Sequence, residues 1–156
     1  PAPVASTLAV TTTRSAIDFM DGLLHTKRLR EIAFAAKAHW GYDPDLVRAW
    51  AEGIDLDDGR ELLVEDGAWA SVRVRGEVCW LEDLWVEPQA MGRGLGRLLF
   101  ERAAALGRER GCTRMEWEAE PNAIGFYERM GAAYVRDGDV TEWGRVLPVL
   151  GISLVG

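Results

Sequence analysis

The sequence predicts an α/β domain of mixed α+β character, with a central mixed sheet and helices on both faces. Three observations carry that expectation. The first third reads as helix up to Trp40-Gly41-Tyr42. After Asp57-Asp58-Gly59 the apolar pattern changes to strand alternation with tight-turn signals. From there strands and helices alternate to the C-terminus, giving the order βαα, three strands, α, β, α, ββ.

Residues 8–14, rich in Val and Thr, read as a first strand. Residues 15–39 read as helix, with a break expected near 22–26. Asp43-Pro44 opens a second helix that ends near Gly53, because Asp is a good N-cap and Pro suits the first helical position. Residues 61–65 and 68–75 read as strands joined by the Asp66-Gly67 turn. Residues 78–86 form a nearly continuous apolar run, so this strand is expected in the centre of the sheet. Glu82 and Asp83 interrupt the run and are expected on opposite faces. In residues 92–110, Leu95, Leu98, Leu99, Ala103 and Leu106 make one apolar helical face, and Gly111 suits its C-terminal cap. Met115, Trp117 and Ala119 alternate with Glu116 and Glu118, which argues a strand. A short helix at 121–130 stops at Gly131, and residues 133–136 and 146–154 read as the last strands.

Length and composition bound the function. A chain of 156 residues fits one domain, 1–156, and can bury a core without staples. No apolar run reaches the roughly 18 residues of a membrane span. Residues 1–10 lack the basic head and long apolar core of a signal peptide, so a cytoplasmic protein is expected, with Cys79 and Cys112 as reduced thiols. A net charge of -7 repels phosphate backbones, which argues against nucleic acid and is compatible with a cationic acceptor. Two histidines and two scattered cysteines give no metal-type spacing, so no metal is expected.

The most informative segment runs Met91-Gly92-Arg93-Gly94-Leu95-Gly96-Arg97. Three glycines alternate where a strand hands over to a helix. Glycine lets the backbone approach a ligand closely, and the first turn of a helix offers unpaired N–H groups and a positive dipole end. That is a seat for a pyrophosphate, and Arg93 and Arg97 add charge to it. The spelling is not the dinucleotide fingerprint, because Arg97 replaces its last glycine, and it lacks the P-loop Gly-Lys-Ser/Thr.

This loop resembles the acetyl-CoA loop of the GNAT superfamily of N-acetyltransferases, Gln/Arg-x-x-Gly-x-Gly/Ala, with Met91 at its first position. Residues 81–86 are similar to the family's fourth strand, and 120–132, with Phe126-Tyr127 and Gly131, to its second CoA-contacting segment. The resemblance covers about half the chain, residues 78–132. It implies a mostly antiparallel sheet of about six or seven strands with acetyl-CoA as co-substrate. It implies backbone contacts from Leu84, Trp85 and Val86 to the pantetheine arm, with Asn122 and Phe126 completing the cofactor site. A homodimer accords with family habit.

Acyl transfer to an amine needs a neutral nucleophile, a polarised thioester carbonyl and a proton for the leaving thiolate. Glu82, on an apolar central strand, is the expected general base, with Asp83, Glu118 and Glu120 ranked below it. Tyr127 is the expected acid: a phenol stays protonated at neutral pH and can donate to a thiolate. By the same resemblance His39, Trp40 and Tyr42 line the acceptor side. The expected function is transfer of an acetyl group from acetyl-CoA to a primary amine of a small molecule or peptide. The alternative is a non-catalytic acyl-CoA-binding sensor or scaffold, which would keep the glycine loop but not need Tyr127.

Overall fold

A computed structural model describes residues 16–156, so the strand expected at 8–14 lies outside the described residues. The described chain runs α1 (Ala16–Ala38), α2 (Pro44–Glu52), β1 (Glu61–Glu65), β2 (Ala68–Arg75), β3 (Val78–Val86), α3 (Leu95–Glu109), β4 (Arg114–Glu118), α4 (Ile124–Arg129), β5 (Ala133–Val140) and β6 (Val146–Ser153). The six strands form one mixed sheet in the order β1-β2-β3-β4-β6-β5, so β3 is central as expected. Only β3 and β4 run parallel; every other neighbouring pair is antiparallel.

Helices cover both faces. On one, α3 and α4 pack Leu99, Phe100, Ala103 and Tyr127 over Cys79, Leu81, Met115 and Trp117. On the other, Leu29, Ile32 and Ala33 of α1 cover Trp69 of β2, whose buried indole Nε1 donates to the Leu29 carbonyl at 2.8 Å. The Asp43 carboxylate caps α2 by accepting from the Asp45 and Leu46 N–H groups, at 2.8 and 3.5 Å.

Three boundaries differ from expectation. The α1 helix passes through 22–26 unbroken, because the face that buries Leu29 and Ile32 outweighs the roughly 1 kcal/mol that Gly22 costs a helix. Helix α3 begins at Leu95 rather than at 92, because Gly92 and Gly94 take φ of 80° and 75°, outside the helical region. Strand β5 extends to Val140, its register against β6 slipping once between Tyr134 and Arg136 and again between Asp137 and Val140.

The two cysteines lie in the core, Cys79 at 0% and Cys112 at 4% exposure. Burial pushes the Cys79 thiol up to about 11 and raises the Cys112 thiol as well. Both therefore stay protonated and inaccessible near pH 8. Native protein mixed with a chromogenic disulfide should release almost no thiol chromophore, and guanidinium should expose both thiols together. Rapid reaction of either one in native protein would show that this core opens.

Candidate active site

The site is built around a break in the sheet. β3 and β4 pair only through Val78–Arg114, Cys79–Met115 and Trp80–Glu116, then part. The break coincides with a bulge. Ser71 pairs with Asp83 and Val72 with Leu81, so Glu82 is the extra residue of β3. Beyond it, the Glu87 N–H donates to the Gly67 carbonyl at 2.9 Å, on the β2 side. Strand alternation then turns the backbone groups of Leu84 and Val86 toward the open side, and those of Trp85 toward β2.

The bulge also brings Glu82 and Asp83 to the same side, correcting the expectation of opposite faces. Both contact Arg60, which is 2.6 Å from the Asp83 carboxylate and 3.3 Å from that of Glu82. Asp83, 7% exposed, also accepts from the Ser71 hydroxyl, and from the Trp85 indole at 3.1 Å. Glu82 is not the isolated carboxylate in apolar surroundings that the sequence suggested. Arg73 lies 2.6 Å from it and Arg75 3.6 Å, in addition to Arg60.

Two chambers meet at the break, each of about 570 Å³. The first runs from the open edge of β3 to the glycine loop. It is lined by Leu84, Trp85, Val86, Met91, Gly92, Gly94, Leu95, Gly96, Arg97, Asn122, Phe126 and Tyr127. Gly94 is the N-cap of α3 and no side chain caps that helix, so the first-turn N–H groups remain available to a ligand. Gly96 lies against the Phe126 ring, which a Cβ there would meet at 3.4 Å. Arg93 is exposed and lies off this lining, and Arg97 is paired with Glu101 at 2.9 Å. The indole Nε1 of Trp117 is buried in this wall with no hydrogen-bond partner among the described residues.

Tyr127 lines the first chamber, its ring tilted against Trp117 at 4.9 Å and edge-to-face with Phe126 at 5.1 Å. It is 7% exposed, and no side-chain hydrogen bond from its hydroxyl occurs among the described residues. Burial, then the charges of Glu120 and Asp83, push its phenol well above the usual tyrosine range. It stays a proton donor throughout the neutral range.

The second chamber lies on the α1–α2 side. Its walls include Lys37, Trp50, Ile54, Asp55, Arg60, Glu142, Trp143, Arg145 and Leu147. Glu82, Asp83, Trp85, Glu118 and Glu120 line both chambers. Glu118 has no ion pair among the described residues, and burial together with Asp139 raises its carboxyl above the ordinary value. Burial pushes the Lys37 amine down, against the pull of Glu120 and Glu142.

The residues expected on the acceptor side are redistributed. Trp40 lines the first chamber instead. Tyr42 stands behind the second, bonded to Glu120 and 2.9 Å from Arg145. His39 is exposed against Trp40 and lines neither chamber. Lys37, Trp50, Trp143 and Arg145 were not among the site residues expected from the sequence. Of these only Trp143 carried a signal, being a large aromatic in a polar turn, Thr141-Glu142-Trp143-Gly144.

A family model described as the acetyltransferase (GNAT) family matches residues 26–132. The chain belongs to this family. It is 31% identical over 145 residues to streptothricin acetyltransferase of Streptomyces lavendulae, covering 76% of each protein. It is 26% identical to peptidyl-lysine N-acetyltransferase YjaB of Escherichia coli, over 72% of this chain and 90% of that one. A solved GCN5-related N-acetyltransferase from Rhodopseudomonas palustris shares the fold at a TM-score of 0.67 and 21% identity, over 83% and 90% of the two chains. The protein is thus an N-acetyltransferase of a family that moves acyl groups from acetyl-CoA to amines. Among the described residues no cluster of three or more His, Cys, Asp or Glu is arranged to hold a metal ion, and no helix is long and apolar enough to cross a membrane.

The Arg60 cluster generates a stability prediction. Arg60→Ala leaves Asp83 buried with only Ser71 and Trp85 as partners. Stranding a buried charge costs about 3–5 kcal/mol, and the two remaining bonds place this case near 3. The urea midpoint should fall accordingly, and an unchanged midpoint would show that the cluster adds nothing to stability.

Proposed function

We propose that acetyl-CoA occupies the chamber between the open edge of β3 and the glycine loop, and that an amine reaches its thioester from the second chamber. The observation that carries this reading is the parting of β3 from β4 directly beside an uncapped helix N-terminus and an unpartnered tyrosine hydroxyl. Acetyl-CoA supplies an activated acyl group on a thiol leaving group. The chain's own groups fit that shape. The Leu84 and Val86 amide groups match an amide-bearing arm laid along the strand, and the buried Trp117 indole offers a further donor. The N–H groups at the start of α3 match a pyrophosphate, with Arg97 beside them. Trp85 faces its indole to the junction while its backbone stays with β2, so its part here is through the ring.

In this reading Tyr127 protonates the departing thiolate. Its raised pKa keeps the proton on the phenol until negative charge develops on sulfur; a thiol of pKa about 8.5 is the stronger acid, so the transfer is uphill and is completed when the phenolate regains a proton from solvent. Glu118 receives the proton of the attacking amine, directly or through water. Glu82, tied to Arg60, Arg73 and Arg75, is occupied in the cluster that holds β3 and is not free to take the amine's proton. The acceptor is an amine-bearing small molecule or peptide. A lysine-like side chain accords with the peptidyl-lysine acetyltransferase among the relatives.

Three measurements test the scheme. Calorimetric titration of acetyl-CoA should give micromolar binding that Gly94→Glu abolishes, because that change sets a carboxylate at φ 75° where the phosphates would sit. Tyr127→Phe should lower kcat by about 10²-fold or more while binding acetyl-CoA within about twofold of the parent. Unchanged turnover would remove Tyr127 from the mechanism. A base must be deprotonated to act, so activity should fall on the acid side as pH drops through the raised Glu118 pKa. Glu118→Gln should remove that limb along with most of the rate; an identical acid limb in the variant would rule Glu118 out.

A further inference from the structure

The second chamber already contains an ammonium group. Lys37, in the last turn of α1, places its Nζ 4.1 Å from the centroid of Trp50 and 4.3 Å from that of Trp143. Trp85 stands 5.9 Å away and Tyr42 6.0 Å. The four rings come from α2, the turn before β6, β3 and the α1–α2 connection, so distant parts of the chain converge on Lys37, while the Arg145 guanidinium also faces Tyr42 at 4.9 Å and Trp143 at 5.6 Å. Ring faces attract cations by their quadrupole, and an aromatic box of this kind is a site for an alkylated ammonium.

We propose that this box is the subsite for the ammonium of the acceptor, and that Lys37 fills it as an internal stand-in which the acceptor displaces. The proposal rests on the acyltransferase reading above and names the substrate class: an alkylammonium on a flexible aliphatic stem, the form of a lysine side chain.

The surroundings of Lys37 fit a replaceable guest better than a structural ion pair. Its ammonium forms no hydrogen bond or ion pair among the described residues, with Glu120 and Glu142 near enough to raise its pKa and Arg145 near enough to lower it. Elsewhere in the same chamber the basic groups are paired: Arg60 holds Asp58, Glu82 and Asp83, and Arg145 faces Glu120 at 3.8 Å. Of the carboxylates in this chamber's wall, Asp55, Glu118 and Glu142 have no basic partner among the described residues. Their charge favours a cation entering from solvent. The box lies next to the first chamber: Ala36, the neighbour of Lys37 on α1, lines that chamber, and Trp85 lines both. An acceptor that replaces Lys37 therefore arrives beside the open edge of β3.

The test empties the box and offers it a free ammonium. n-Butylamine, protonated at pH 7, is titrated into wild type, Lys37→Ala and the double variant Lys37→Ala/Trp143→Ala, with tryptophan fluorescence as readout. n-Butanol serves as the uncharged control, and acetyl-CoA is titrated into the same proteins by calorimetry. Lys37→Ala should bind butylammonium at least tenfold more tightly than wild type. Removing Trp143 as well should cancel that gain, and butanol should give no saturable signal. Should Lys37→Ala not fold, Lys37→Ser empties the box in the same way and carries the same expectation. Equal affinity in wild type and the emptied variant, an equal response to butanol, or indifference to Trp143 would each overturn the proposal. Retained acetyl-CoA binding with no ammonium gain sinks the box alone. Failure of wild type to bind acetyl-CoA sinks the acyltransferase reading, and the butylammonium titration still decides the box.

Discussion

The architecture depends on a strand pair that begins and then stops. Three parallel pairs tie β3 to β4, and past Trp80 and Glu116 the strands separate. Parallel strands in the middle of a sheet normally continue to pair, because unpaired backbone groups are costly to bury. Here the cost is avoided by leaving the separated edge open to a chamber rather than covering it. The extra residue at Glu82 bends β3 away from β4. The rings of Trp117, Phe126 and Tyr127 fill the angle from the α3–α4 side, so the gap cannot close.

Such a bulge needs an anchor, and Asp83 provides it. Its carboxylate is buried, yet it is met by Arg60, Ser71 and Trp85. Arg60 is held in turn by Asp58 at 2.7 Å, and Arg73 bridges Asp58 to Glu82, 2.6 Å from each. The alternating acids and guanidiniums satisfy one another, which is the condition for keeping charge in a site of low dielectric. Fixing Asp83 fixes the Trp85 indole, and through it one wall of each chamber. Strand geometry and chamber shape are therefore controlled by one charged cluster.

The sequence made some of this legible and hid the rest for definable reasons. The glycine loop was readable because its function is backbone geometry, and positive φ at Gly92 and Gly94 leaves a signature in residue type. The central position of β3 was readable from its apolar run. The bulge was not, since a one-residue slip depends on the pairing partner and not on β3 itself. That slip reversed the expected direction of Asp83, and the convergence of Arg60, Arg73 and Arg75 removed the apolar surroundings that had recommended Glu82 as base. The aromatic box was hidden for a similar reason. Lys37, Trp50, Trp85 and Trp143 are scattered over the chain, and each alone reads as a surface lysine or a packing tryptophan. Only the docking of α2 and the 141–144 turn onto α1 brings them together.

An aromatic box also suits the chemistry better than a carboxylate clamp would. An alkylamine of pKa about 10.4 must lose a proton before it can attack, a cost of roughly 4–5 kcal/mol at pH 7. A carboxylate bonded to the ammonium would recognise it but add to that cost, because it stabilises the charged form. Indole faces attract the cation more weakly while removing water from around it, and removal of water favours the neutral amine. Lys37 registers this effect: burial, joined by the charge of Arg145, lowers its pKa even with Glu120 and Glu142 opposing. In the proposed scheme the carboxylates at the junction, Glu118 among them, take the proton away from where the cation is held. Separating the surface that binds the ammonium from the group that takes its proton lets one chamber do both without either interaction defeating the other.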